Sequence, residues 1–384
     1  MQALILAGGE GTRLRPLTST VPKPVVPLAG KPFLTFMIEW LRGHGVDDVI
    51  LSCGFLADGV RAVLGDGATL GVKLRYVEEP QPSPGAGEVL IEAEAIGVNF
   101  IDTYFRSGTY PRDLPFVLGT EVAGTVAAVG DGVTELSVGD RVATAAASGA
   151  YAEFSTAAAQ FVARVPPDVG LDLAASALLK GLTAHYLITS VYAVQPGDGV
   201  LVHAGAGGVG LILTGWLTHR GARVITTVST PEKAERSRQA GASDVLDYPG
   251  DDPAEFGSRI RELTAGAGAA VVYDGVGAST FDASLASLAV RGTLALFGAS
   301  SGPVPPFDPQ RLNAAGSVYL TRPSLAHFTR TGEEFAWRSG ELFDAIADGS
   351  LSVTVSRSYP LADAAQAHRD LQARQTIGSI VLTP

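Results

Sequence analysis

The sequence predicts an α/β protein centred on a doubly wound parallel sheet, joined to a domain of short β-strands and preceded by a partial α/β nucleotide-binding segment. Three observations carry this. Between about residues 174 and 321, apolar strand patterns alternate with helix patterns, as in parallel strands joined by crossover helices. From Glu88 to about Pro167 the texture changes to short strands punctuated by glycine, which suits an antiparallel, barrel-like domain. Ahead of both, Glu79-Pro80-Gln81-Pro82-Ser83-Pro84-Gly85 sets three prolines at alternate positions, and such a run continues neither a helix nor a central strand. The predicted division is 1–77, then 78–173 with 322–384, then 174–321.

In the first segment, 2–6, 48–52 and 70–77 read as strands and 33–42 as a helix. The β-rich part offers strands at 89–95, 122–129, 141–144 and 151–155. In the alternating part the strands are 200–203, 223–228, 244–247, 270–274 and 293–297, with helix patterns in the gaps. A helix pattern at 341–348 and a strand at 379–382 return the chain to the β-rich domain.

Composition narrows the function classes. With 384 residues, 46% hydrophobic and 17% charged, the chain is globular rather than disordered and long enough for two or three cores. A net charge of −11 argues against a nucleic-acid or anionic-membrane partner, since both attract basic surfaces. Cys53 is the single cysteine, so an internal disulfide and a Cys-rich zinc site are both excluded. No stretch approaches the ~20 apolar residues of a membrane span, and the apolar run at 4–7 is too short for a signal peptide. A cytoplasmic protein without membrane insertion is expected.

The functional argument begins at Val200-Leu201-Val202-His203-Ala204-Gly205-Ala206-Gly207-Gly208-Val209-Gly210. A strand runs into G-x-G-x-x-G, a helix pattern opens behind it, and a second strand follows at 223–228. That order lays a dinucleotide pyrophosphate against backbone N–H groups at a helix N-terminus. The second strand ends in Ser229-Thr230-Pro231-Glu232-Lys233, where NAD sites usually carry a carboxylate for the ribose hydroxyls. Hydroxyls and a lysine suit a 2′-phosphate instead, favouring NADPH, with Glu232 the one residue opposed. Thr230 and Pro231 also form an N-cap and first-turn pair, and both readings hold together.

Further blocks extend the pattern: Gly97-Val98-Asn99-Phe100-Ile101-Asp102-Thr103-Tyr104, Leu118-Gly119-Thr120-Glu121, Val138-Gly139-Asp140-Arg141-Val142, Leu179-Lys180-Gly181-Leu182-Thr183-Ala184, Val272-Tyr273-Asp274-Gly275-Val276-Gly277 and Thr321-Arg322-Pro323-Ser324. With these, the chain from about residue 74 to 384 resembles the zinc-independent NADPH:quinone oxidoreductases of the medium-chain dehydrogenase/reductase superfamily, the zeta-crystallin group. The resemblance implies a GroES-like catalytic domain, a Rossmann NADP-binding domain and a cleft between them. It implies that Gly207, Gly208 and Gly210 cradle the pyrophosphate, with Val209 among the cofactor-binding residues, and that Ser229, Lys233 and Tyr248 surround the 2′-phosphate. Phe297, Gly298, Ala299 and Ser300 would line the nicotinamide end, while Asn99, Lys180, Thr183 and Arg374 complete the pocket. Zinc-dependent relatives need a histidine in a Gly-His-Glu block; here it reads Gly119-Thr120-Glu121, and 80–384 lacks cysteine, so no metal is expected. The implied reaction is hydride transfer to a quinone or α,β-unsaturated carbonyl, a small-molecule substrate. Asn99, Tyr104 and Tyr110 are its candidate catalytic residues. For the two tyrosines an aromatic wall without proton transfer stays open as an alternative, and Asp102 and Glu121 are taken as structural. A homodimer through the Rossmann sheet edge is also implied.

The front end has a different likeness. Leu6-Ala7-Gly8-Gly9-Glu10-Gly11-Thr12-Arg13-Leu14-Arg15-Pro16-Leu17-Thr18, with Pro22-Lys23-Pro24 and Gly30-Lys31-Pro32, resembles the opening of a sugar-1-phosphate nucleotidylyltransferase. There the glycine loop wraps a nucleoside triphosphate, and Arg13 and Lys23 match phosphate-handling positions. The pattern ends at about Glu79, before the Gly-Asp block that holds Mg²⁺, and Asp66 comes too early to replace it. Nucleotidyl transfer therefore stands as an alternative weakened by truncation, and NADPH binding without catalysis as another. Residues 74–80 fit either family, so the expected join is a fusion in which strand 70–77 stands in for the arm of the reductase's N-terminal hairpin.

Overall fold

The computed structural model describes residues 2–7, 14–53, 57–77 and 81–384. They fall into two compact units, Met1–Gln81 and Pro82–Pro384.

The first unit holds β1 (Gln2–Leu6), α1 (Phe33–Gly43), β2 (Asp48–Ser52), α2 (Ala57–Leu64) and β3 (Lys73–Val77). Its sheet runs β1-β2-β3 with all strands parallel. Period-2 burial along β2 turns Val49 and Leu51 inward, where they meet Leu34 and Ile38 of α1 and Val60 and Leu64 of α2. The strand expected at 70–77 starts three residues later. Ala68–Leu70 instead forms a 3₁₀ turn between Gly67 and Gly71, both at positive φ, a conformation that glycine adopts without strain.

The join differs from expectation. β3 pairs with β2 from Asp48↔Lys73 to Ser52↔Val77. Arg75 clamps Asp48 at 2.7 and 3.0 Å, and Leu74 lies in the first unit's core. The strand is thus committed to the first unit and does not serve as a hairpin arm of the β-rich sheet. Lys23 opens a 3₁₀ turn behind Pro22; Gly8 to Arg13 of the glycine loop and residues 78–80 of the connector lie outside the described residues.

In the second unit, the β-rich part comprises β4 (Glu88–Gly97), α3 (Phe100–Arg106), β5 (Val122–Val129), β6 (Arg141–Thr144), β7 (Phe154–Ala158) and β8 (Ala163–Arg164). α4 (Leu171–Tyr186) then crosses to the alternating part. This comprises β9 (Gly199–Val202), α5 (Gly208–His219), β10 (Arg223–Val228), α6 (Pro231–Gln239), β11 (Asp244–Asp247), α7 (Pro253–Leu263), β12 (Ala269–Asp274), α8 (Phe281–Ser287), β13 (Leu288–Leu296), α9 (Gln310–Ala314) and β14 (Tyr319–Thr321). The chain closes through α10 (Leu325–Phe328), α11 (Gly332–Ala347), β15 (Val355–Pro360), α12 (Ala364–Gln372) and β16 (Ser379–Thr383).

The β-rich sheet has the order β8-β6-β5-β4-β16-β15, with β7 also paired to β4. The parallel sheet has the order β11-β10-β9-β12-β13-β14. Its strand order reverses between β9 and β12, and a crevice opens there beyond the carboxyl ends of the strands. α4 is buried along most of its length and packs against α5, α11 and β4, tying the two sheets together.

The strand expected at 151–155 lies at 154–158, because the Ala150 and Tyr151 N–H groups are held by the Gly119 and Leu118 carbonyls. That expected at 293–297 is the second half of β13, and the helix expected at 341–348 is the tail of α11. Among the described residues no helix is long and apolar enough to cross a membrane.

Candidate functional site

A cleft of about 830 Å³ opens in the second unit against the carboxyl ends of the parallel strands. The glycine loop between β9 and α5 forms one wall. Two of its glycines are demanded by the protein's own packing. A Cβ on Gly210 would lie 2.2 Å from the Ala204 carbonyl oxygen, and one on Gly205 would lie 2.5 Å from Thr226 Cβ. Gly207 is different: its Cβ would meet only Ala204, at 3.2 Å or more, so its open side faces the cleft. Ala204 itself turns the chain at φ +57, a conformation unusual for a residue with a Cβ.

The N-terminus of α3 and the middle of α4 bring a buried polar cluster to the opposite wall. Glu121 is fully buried and accepts from the Leu179 N–H (2.7 Å), the Asn99 side-chain amide (2.7 Å) and the Lys180 ammonium (3.0 Å). Lys180 passes beneath the loop, with its Cδ 2.8 Å from where a Gly208 Cβ would stand. Next to Asn99, Asp102 caps α3 by accepting the Asn99 N–H at 2.9 Å, and it takes the Tyr151 hydroxyl at 3.0 Å. Tyr151 reaches His368 Nε2 at 2.9 Å, and Arg106 reaches His368 Nδ1 at 3.0 Å. Burial pushes Asp102 up to about 6 against the pull of these hydrogen bonds. Burial, helped by Arg106, pushes His368 down to about 4.

At the far end of the cleft, Phe297, Gly298 and Ser300 follow β13, and the Ala299 N–H donates to the Tyr104 hydroxyl at 3.2 Å. The rings of Tyr104 and Tyr110 stand edge to face at 5.2 Å, and the Arg322 guanidinium donates to the Tyr110 hydroxyl at 3.4 Å. Burial holds the Tyr104 phenol above its ordinary range.

Asn99, Tyr104, Tyr110, Lys180, Thr183, Gly207, Gly208, Val209, Gly210, Phe297, Gly298 and Ser300 therefore line one cleft. Ser229, Lys233, Tyr248 and Arg374 do not line it; they gather past the glycine loop. Lys233 Nζ donates to the Arg374 carbonyl at 2.6 Å and lies 3.4 Å from Ser229 Oγ, while Tyr248 hydrogen-bonds the Ala204 backbone. The segment carrying Arg374 is pinned there by the Gly378 N–H donating to the Ala206 carbonyl at 2.8 Å. Burial and the neighbouring Arg374 charge lower the Lys233 ammonium, with Glu232 opposing. Thr230 caps α6 by accepting the Lys233 N–H, as its sequence context predicts.

Sequence reasoning took Glu121 as structural without finding it to be the hub of the buried cluster, and it left Arg322 of the cleft lining, which stood in a matched block, without a role. Among the described residues no group of three or more His, Cys, Asp or Glu side chains could hold a metal ion. The donor set needed by zinc is thus lacking there, and Glu121 is occupied by its three donors.

Comparison with known proteins agrees with this geometry. A family model described as an alcohol dehydrogenase GroES-like domain matches residues 85–167, and one described as a zinc-binding dehydrogenase matches 208–340. A nucleotidyl transferase model matches 2–116, running past residue 79 into β4 and α3 of the second unit. The chain is 71% identical to a mycobacterial protein solved in complex with NADPH, covering 80% of this chain and 95% of that one, with a TM-score of 0.79. It is 44% identical to the Escherichia coli quinone oxidoreductase solved in complex with NADPH, covering 80% and 95%, with a TM-score of 0.77. Against the 2-haloacrylate reductase of a Burkholderia species it is 44% identical over 311 residues, 79% of this chain and 92% of that protein.

Proposed function

The chain belongs to the quinone oxidoreductase family, and on that premise we propose that it reduces a quinone or an α,β-unsaturated carbonyl with NADPH. The observation that carries the reading is the cleft, which runs from an open-faced glycine loop to two tyrosine hydroxyls and has no carboxylate in its lining. NADPH fits the residues present. The unfilled side of Gly207, with Gly208, Val209 and Gly210 at the N-terminus of α5, suits its pyrophosphate. Ser229, Lys233, Tyr248 and Arg374 suit the 2′-phosphate, since two cations side by side are relieved by a dianion. In this reading Phe297, Gly298, Ala299 and Ser300 border the nicotinamide end, and Lys180, Thr183 and Asn99 close the pocket from the α3 and α4 side. When bound, NADPH supplies a hydride, a proton from water completes the reduction, and NADP⁺ is left.

The chain's own contribution is orientation and exclusion of water. Phe100, Phe105, Tyr186 and Phe335 give the cleft an apolar lining. The Tyr104 and Tyr110 oxygens each accept a hydrogen bond from the protein, so each hydroxyl proton is available to a substrate carbonyl. Burial keeps the Tyr104 proton on its oxygen, which suits a hydrogen-bond donor better than an acid. The direct test follows oxidation of NADPH and of NADH with a panel of quinones and enones. NADPH is expected to be consumed in an acceptor-dependent way and at least tenfold more efficiently than NADH. NADPH binding without turnover on any acceptor would overturn the reading.

We retain the division 1–77, 78–173 with 322–384, and 174–321 as the domain boundaries, and a cytoplasmic location. A homodimer through the β14 edge is the proposed assembly; Val290 and Tyr319, 74% and 63% exposed, support it. Light scattering should return twice the chain mass of 39.6 kDa. The match of residues 2–116 to nucleotidyl transferases favours a second reading, sugar-nucleotide synthesis, tested by Mg²⁺-dependent pyrophosphate release.

A further inference from the structure

Three cations line the cleft: Lys180, Arg322 and Arg330. No aspartate or glutamate lines it, in a chain whose net charge is −11. Lys180 is neutralised by Glu121 at 3.0 Å. Arg330 has Glu334 bound at its own backbone N–H at 2.9 Å. Arg322 forms no ion pair among the described residues, and its guanidinium donates to the Tyr110 hydroxyl.

Its place in the sheet separates Arg322 from the phosphates of a dinucleotide. β13 and β14 pair through Ala295↔Thr321, so Arg322 emerges beside the segment that carries Phe297. The glycine loop follows β9, three strands away across β12 and β13, roughly 14 Å at ordinary strand spacing. The cation therefore stands at the Tyr104–Tyr110 end, where the substrate is placed by the reading above, on which this inference rests. A guanidinium held by a phenol and turned to an apolar cleft is a fork for a carboxylate.

We propose that Arg322 is a specificity-determining anion-binding residue, so that the cleft takes electrophilic alkenes bearing a carboxylate and binds that carboxylate through Arg322 and Tyr110. The remaining Arg322 N–H groups donate to the two carboxylate oxygens, and the apolar lining receives the reducible double bond.

The test compares 4-oxo-2-pentenoate with its methyl ester, which present the same enone with and without the charge. Arg322→Gln is expected to lower kcat/KM for the carboxylate tenfold to a hundredfold, while the ester and the KM for NADPH stay within twofold. Arg322→Lys should recover part of the loss. With the unaltered protein and saturating NADPH, added salt should weaken the carboxylate reaction and leave the ester reaction unchanged. Equal losses on both acceptors in Arg322→Gln, or salt-independent kinetics for the carboxylate, would overturn the inference and leave the reductase reading standing. Absence of NADPH oxidation with both acceptors and with quinones would overturn the reductase reading itself.

Discussion

In the proposed function, the coenzyme preference turns on Lys233. Its ammonium is held by the Arg374 carbonyl and is half-buried beside a second cation. Replacing Lys233 with alanine is expected to raise the KM for NADPH tenfold or more, about 1.4 kcal/mol, and to leave that for NADH unchanged. Unchanged discrimination between the two in steady-state kinetics would refute the assignment. Glu121 presents a different kind of dependence. It and Lys180 are both buried, so removing the carboxylate strands a charge away from water. Glu121→Ala should cost about 3–5 kcal/mol in a urea titration. Glu121→Gln, which keeps the hydrogen bond to the Leu179 N–H, should cost less.

Individual elements carry sharper contrasts. In the glycine loop, Gly210→Ala drives a Cβ to 2.2 Å from the Ala204 carbonyl oxygen, whereas Gly207→Ala brings its Cβ no nearer than 3.2 Å to that oxygen. The first variant should lose thermal stability by several degrees; the second should melt close to the parent protein and lose NADPH affinity. Differential scanning fluorimetry with and without NADPH separates them. Between α3 and α12, Asp102 and His368 respond oppositely to acid. Asp102 is raised to about 6, so its contribution to stability is full below the ordinary carboxylate range and is lost as pH rises through 6. His368 is lowered to about 4, so its contribution is full above the ordinary imidazole value and is lost as pH falls through 4. Between pH 4 and 6.5 the two slopes offset each other. Asp102→Asn should expose the histidine slope, giving a protein that weakens on acidification across that window in chemical denaturation. A flat profile in the variant would show that the two groups do not titrate as described.

For the molecule as a whole, the contrast is between its two units. Among the described residues, the first has its own core, a three-stranded parallel sheet and a two-residue antiparallel pair, and the second builds two sheets around the buried helix α4. Local stability follows buried contacts, so amides of β1–β3 are expected to exchange with solvent faster than those of β9, β10 and β12. Equal protection in native-state hydrogen exchange would contradict this expectation.

Period and punctuation made much of this legible in the sequence. β1, β2, β5, β6, β10 and β11 lie where apolar runs of strand length end at turn residues. The glycine loop was readable because strand, turn and helix follow one another without interruption. The misses share a cause. α3 is announced only by Asn99 and Asp102, three residues apart, and the start of α11 is masked by Glu333, Glu334 and Arg338. Only tertiary structure decided which strand β3 joins, because its sequence suits either neighbour and the register with β2 settles the matter. It also decided the company of Glu121, Lys180 and Arg322. Alternation and capping are local properties of a chain, whereas the partner of a charge brought from a distant segment depends on how sheets and helices pack.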